Sequence, residues 1–125
     1  MRRTLFKSKI HGAVLTGGDL DYEGSISLDR DLMEAADLLP GEKVQVLNRS
    51  TGSRLETYVI EAPAGSGEVR LNGPAARAGV PGDRVIVVSY AEFEEEEARE
   101  HRPVVVRVDD DNRPVSGRLR SEPAS

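Results

Sequence analysis

The sequence predicts a small, closed, mostly β domain. Short runs of alternating or continuous apolar residues recur along the 125 residues, bounded by Gly, Pro, Asn or Asp. Only Arg30 to Leu39 carries a sustained helical pattern. A unit of strand, short helix, Pro-Gly turn and strand occurs twice. Leu39-Pro40-Gly41-Glu42-Lys43-Val44-Gln45-Val46 matches Val80-Pro81-Gly82-Asp83-Arg84-Val85-Ile86-Val87, and Ser27-Leu28-Asp29 upstream parallels Arg70-Leu71-Asn72. Pro-Gly before alternating valines is also a common way to enter a strand. Read as a duplication, the two copies close on each other about a pseudo-twofold axis and remove exposed sheet edges.

Each element follows from its local pattern. Thr4 to Leu15 reads as an extended strand carrying Lys7, Lys9 and His11, and Gly17-Gly18-Asp19 as a turn. Ser25 to Leu28 alternates and reads as a short strand. Asp29 is placed to cap a helix from Arg30 to Leu39, with Leu32, Met33, Ala36 and Leu39 on its buried face. Pro40-Gly41 stops it. Lys43 to Leu47 and Arg54 to Ile60 alternate as strands. Leu55, Thr57 and Val59 share one side of the second, and Arg54, Glu56, Tyr58 and Ile60 the other. Val69 to Leu71 is a short strand, Pro74 to Ala78 one helical turn, and Arg84 to Tyr90 a buried strand. Glu94 to Glu97 opens a solvated helix, and Val104 to Val108 is the last strand. The expected domain is 1–112, with 113–125 a polar, disordered tail.

Composition narrows the function. A net charge of −5 argues against a general nucleic-acid partner. There is no cysteine, hence no disulfide framework or thiolate ligand set. His11 and His101 lack metal-site spacing, so no metal is expected. No apolar run reaches the ~18–20 residues that span a membrane, and the cytoplasm is the expected location.

One dipeptide carries chemistry only in company. Gly24-Ser25, within Tyr22-Glu23-Gly24-Ser25, would alone be a turn. It is preceded by Lys7-Ser8-Lys9-Ile10-His11 and followed by Arg54-Leu55-Glu56-Thr57-Tyr58 and then Asn72-Gly73. This set, in this order, resembles the aspartate 1-decarboxylase family, over roughly Met1 to Arg113. The resemblance implies a double-psi β-barrel with short helices. It also implies a homotetramer with intersubunit sites, and a chain that cuts itself between Gly24 and Ser25.

In that family the serine becomes a pyruvoyl group, so no pyridoxal phosphate and no metal is implied. Ser25 Oγ would attack the Gly24 carbonyl to give an ester. Elimination then leaves dehydroalanine, which hydrolyses to pyruvoyl. Glycine at 24 suits a strained backbone and a close approach. The ketone condenses with the amine of L-aspartate and accepts the electrons left when carbon dioxide departs. The product is β-alanine, for pantothenate and coenzyme A biosynthesis.

Roles follow for individual residues, from the resemblance and, for Arg54 and Lys9, from the chemistry of the departing carboxylate. Tyr58 is the candidate proton donor, since a phenol with a pKa near ~10 stays protonated at neutral pH. Arg54 and Lys9 are candidates for the retained side-chain carboxylate, because an ion pair to the departing one would hinder its loss. Thr57 belongs beside the cleaved bond, though it faces away from Tyr58 on a regular strand. A β-bulge would reconcile the two. Asn72, Gly73, Pro74 and Ala75 complete the substrate site, Asn72 through its side-chain amide and Gly73 and Ala75 through their backbone amides. Pro74 departs from the alanine-rich family pattern and lacks an N–H, and Gly12 replaces an often basic position. His11 either lines the site or is structural. A half-buried strand tyrosine, exposed strand cations and a plain Asn-Gly turn are the ordinary alternatives for Tyr58, Arg54, Lys9 and Asn72-Gly73. The competing function is a noncatalytic β-barrel module that binds a partner or serves transcription. A maturation factor is a further possible partner.

Overall fold

Apolar alternation begins in the first strand, where Ser8 and Ile10 are buried and Lys7, Lys9 and His11 between them stay half-buried. A computed structural model describes residues 1–20 and 24–117. Tyr22 and the end of the tail lie outside the described residues. The strands are β1 (Arg2–Val14), β2 (Gly17–Asp19), β3 (Ser25–Asp29), β4 (Lys43–Asn48), β5 (Arg54–Ala62), β6 (Val69–Asn72), β7 (Arg84–Glu94) and β8 (Val104–Arg107). Two short α-helices, α1 (Arg30–Ala35) and α2 (Glu95–Glu100), and a 3₁₀ helix, Gly73–Ala78, complete the fold. The class is mainly β, as expected. The hydrogen-bonded order is β2-β6-β3-β5-β4-β7-β1-β8. Among the described residues no ladder joins its ends, β2 and β8.

The registers carry the twofold repeat. β3 and β6 pair antiparallel with Ser27 opposite Arg70, and those two residues are equivalent in the repeat. β4 and β7 pair antiparallel with the equivalent residues Val46 and Val87 opposite each other. A twofold axis therefore passes through both pairs. It exchanges the parallel pairs β3·β5 and β2·β6. The turns obey it too. Gly41 N donates to Val59 O at 2.7 Å and Val59 N to Glu42 O at 3.0 Å. In the other copy Gly82 N donates to Leu15 O at 2.8 Å and Leu15 N to Asp83 O at 2.9 Å. Gly41 (φ 85°) and Gly82 (φ 96°) take the left-handed conformation that glycine adopts without a Cβ clash.

Two expectations are corrected. Gly17-Gly18-Asp19 is a strand, because β6 offers it a parallel edge. Helix α1 ends at Ala35, short of Leu39. Asp37 turns left-handed (φ 57°), and Leu38 N bonds back to Met33 O and Asp37 N to Glu34 O. This Schellman closure buries Leu38 against the helix and leaves Leu39 69% exposed at the turn tip. The chain also keeps making contacts beyond residue 112. Val115 N donates to Arg107 O at 2.8 Å, and Pro114 bridges Val108.

The core is aliphatic, built from Ile10, Leu15, Ile26, Leu28, Leu32 and Leu71 with the valines of β4, β5, β6 and β7. No helix among the described residues is long and apolar enough to cross a membrane.

Candidate active site

Position 25 opens β3, where Ser25 is wholly buried and opposite Asn72 of β6. The Asn72 side-chain amide donates to Ser25 Oγ at 3.0 Å and to Ser27 Oγ at 2.8 Å. A buried hydroxyl is thus fixed by a neutral donor that is itself 3% exposed. Gly73 follows in the left-handed region (φ 61°), and Pro74 opens the 3₁₀ helix. A Cβ on Gly24 would meet Pro74 Cδ at 3.7 Å, an ordinary contact. Crowding therefore does not demand glycine at 24.

Beside this dipeptide lies a cleft of about 610 Å³. Gly24 forms one wall. Leu55, Glu56, Thr57 and Tyr58 of β5 form another, and Pro74, Ala75, Arg77 and Ala78 of the 3₁₀ helix a third. β5 explains how Thr57 and Tyr58 both reach it. β3 joins β5 only from Val59 onward, so the edge of Arg54–Thr57 away from β4 carries no strand among the described residues. The cleft sits on that edge, where residues of either face contribute. No bulge is needed for this, since β4 and β5 pair without a register shift from Lys43↔Tyr58 to Leu47↔Arg54.

Five expected site residues (Gly24, Thr57, Tyr58, Pro74 and Ala75) meet at this cleft, with Ser25, Asn72 and Gly73 beside it. Lys9 and Arg54 do not line it. Arg54 is exposed at the start of β5, opposite Leu47. Lys9 lies on β1 between Val88 and Val105, with Nζ 5.0 Å from the Phe6 ring centre. His11, on the same side of β1, is held below the ordinary imidazole pKa. Lost solvation is the main cause, followed by the positive charges of Arg49, Arg107 and Lys9. Arg77 was not anticipated as a site residue. Its signal was the spacing from Pro74, since residues three apart eclipse on a 3₁₀ helix.

The aspartate decarboxylase family model matches residues 1–115. The chain belongs to the aspartate decarboxylase family. Its relatives in that family include the aspartate 1-decarboxylase of Myxococcus xanthus, 54% identical over 123 residues that cover 98% of this chain and 95% of the relative. The aspartate 1-decarboxylase of Prosthecochloris aestuarii is 50% identical over 122 residues, covering 98% and 95%. That of Pelotomaculum thermopropionicum is 56% identical over 115 residues, covering 92% and 87%. Membership in the family places Gly24-Ser25 and the cleft beside it in a chain whose relatives are decarboxylases.

Proposed function

We propose that this chain is a self-processing, pyruvoyl-dependent decarboxylase that converts L-aspartate to β-alanine and carbon dioxide for pantothenate biosynthesis. The observation that carries the proposal is the buried Ser25 hydroxyl, held by Asn72 next to the Gly24 wall of the cleft, in a member of this family. The residues around position 25 fit a small ketone derived from Ser25. Ser25 is a β-hydroxy residue, it follows glycine, and the side chain opposite it, Asn72, is a neutral donor. A pyruvoyl group formed there supplies the electron sink for decarboxylation.

The chain's own residues do the rest. Asn72 donates into Ser25 Oγ and so leaves the hydroxyl oriented for attack on the Gly24 carbonyl. The Thr57 hydroxyl stabilises the oxyanion of that step. Tyr58 holds a proton for the carbon that loses carboxylate. The amides of Gly73 and Ala75 bind substrate, while Pro74 offers only its ring. Lys9 and Arg54, which hold the retained carboxylate, come from a neighbouring copy in a homotetramer, because neither lines the cleft of its own chain. The enzyme is cytoplasmic.

Intact mass after denaturation tests the processing. Cleavage after Gly24 leaves pieces of 24 and 101 residues (125 − 24 = 101), the larger blocked to Edman sequencing. Cleavage on warming the purified chain alone means that no maturation factor is required. One uncut species after prolonged warming, with no carbon dioxide from aspartate, would favour the noncatalytic module. Light scattering that gives a fully active monomer would remove the intersubunit site.

A further inference from the structure

We infer that Arg77 is a specificity-determining residue of this cleft, the cation that selects a short dicarboxylate by binding its side-chain carboxylate together with groups from the neighbouring copy. The inference rests on the function just proposed and adds a residue to it. Among the described residues Arg77 is the one cation that lines the cleft, and no carboxylate there pairs with it. Among the described residues that line the cleft the one anion is Glu56, and Lys43 offsets it at 3.2 Å. Of the described charges that line the cleft, Arg77 is thus the one without a countercharge.

The backbone under Arg77 is held at both ends. Pro74 fixes the first turn of the 3₁₀ helix. Beyond Arg77, the carbonyl of Ala78 accepts from Asn48 Nδ2 at 3.0 Å and from Ser53 Oγ at 3.1 Å. Because residues three apart eclipse, Arg77 stands on the same side as Pro74, whose ring borders Gly24. A guanidinium carried on a fixed turn beside the scissile glycine suits two parallel bonds to a carboxylate. A lysine there would supply charge without the fork.

The test uses fully processed wild type, R77A, R77Q and R77K, with processing checked by mass and folding by circular dichroism. Succinate, a dicarboxylate without the reacting amine, is titrated calorimetrically. L-Aspartate kinetics are run across ionic strength. R77A and R77Q should weaken succinate binding roughly tenfold or more, raise KM by a similar factor and leave kcat within about twofold. They should also flatten the salt dependence of kcat/KM, with R77K intermediate. Wild-type succinate affinity and salt slope in R77A and R77Q would overturn the inference, as would loss of self-cleavage in both. Processed wild type that binds succinate but releases no carbon dioxide would sink the decarboxylase proposal and leave the Arg77 comparison decisive.

Discussion

Asp29 and Asn72 hold the same place in the two copies of the repeat and do different work. Each ends a strand and precedes a short helix. Asp29 is 1% exposed, and its carboxylate accepts three backbone amides, from Asp31, Gly65 and Gly67, at 2.8 to 3.0 Å. It caps α1 and ties down the loop before β6. Asn72 makes no cap bond. Its amide points instead to Ser25 and Ser27. An acceptor-only carboxylate can gather amides but cannot donate to a serine hydroxyl, whereas an amide can. Their cross-strand neighbours differ in step. Gly24-Ser25 corresponds to Gly67-Glu68, and Asp29 N bonds Glu68 O where Asn72 faces Ser25. One copy uses its polar residue on backbone amides, and under the proposed function the other is left for chemistry.

The largest effect expected is from Ser25→Ala, which removes the attacking hydroxyl. Cleavage and carbon dioxide release should both vanish. Cleavage that persists, read by intact mass, points to an outside protease.

The comparison itself breaks or holds on the next pair, measured in the uncut Ser25→Ala background for stability. Asp29→Ala strips a helix cap and leaves two loop amides without an acceptor, which should cost about 2–4 kcal/mol by denaturant titration. Asn72→Ala should cost about 1 kcal/mol. With Ser25 restored, Asn72→Ala should slow self-cleavage at least about tenfold, the factor that one lost hydrogen bond gives in a rate. Equal stability losses and an unchanged cleavage rate would erase the division of labour.

Turnover sharpens the functional side. Arg54→Ala should still cut itself yet lose roughly 30- to 1,000-fold in kcat/KM, the equivalent of about 2–4 kcal/mol. Tyr58→Phe keeps the ring and should lower kcat more than it raises KM. Pyruvoyl content is measured first in both. Wild-type kcat in processed Tyr58→Phe, with chemistry rate-limiting, would hand the proton to another group.

A smaller effect concerns His11. Its folded pKa lies below the ordinary 6.5, so below that value the unfolded chain binds more protons than the folded one. Stability from this group is present at neutral pH and is lost as pH falls below 6.5. Its NMR titration midpoint should rise toward 6.5 with added salt, which screens Arg49, Arg107 and Lys9. A midpoint indifferent to salt would leave lost solvation as the whole cause. The smallest effect is from Glu68→Ser, which recreates a Gly-Ser step in the other copy. No cut at 67/68 is expected, because the Asp29 carboxylate there is occupied and cannot donate. A cut there would mean that a Gly-Ser step on such a strand suffices.

The sequence by itself determined the β class, the duplication and the set of residues that marks the family. Those features are local. Alternation of Val44 and Val46, the Pro-Gly turns and the order of Gly24-Ser25, Thr57-Tyr58 and Asn72-Gly73 are each written within a few neighbouring residues. Tertiary structure decided what depends on partners distant in the chain. Gly17-Gly18-Asp19 became a strand because β6 presented an edge, and Leu39 left the core because Asp37 closed the helix early. Thr57 and Tyr58 reached one cleft because β3 leaves that edge of β5 uncovered, which no alternation pattern could announce. Arg77 joined them because the eclipsed 3₁₀ turn sets it beside Pro74, and the packing of that turn against β5 exists only in the folded chain.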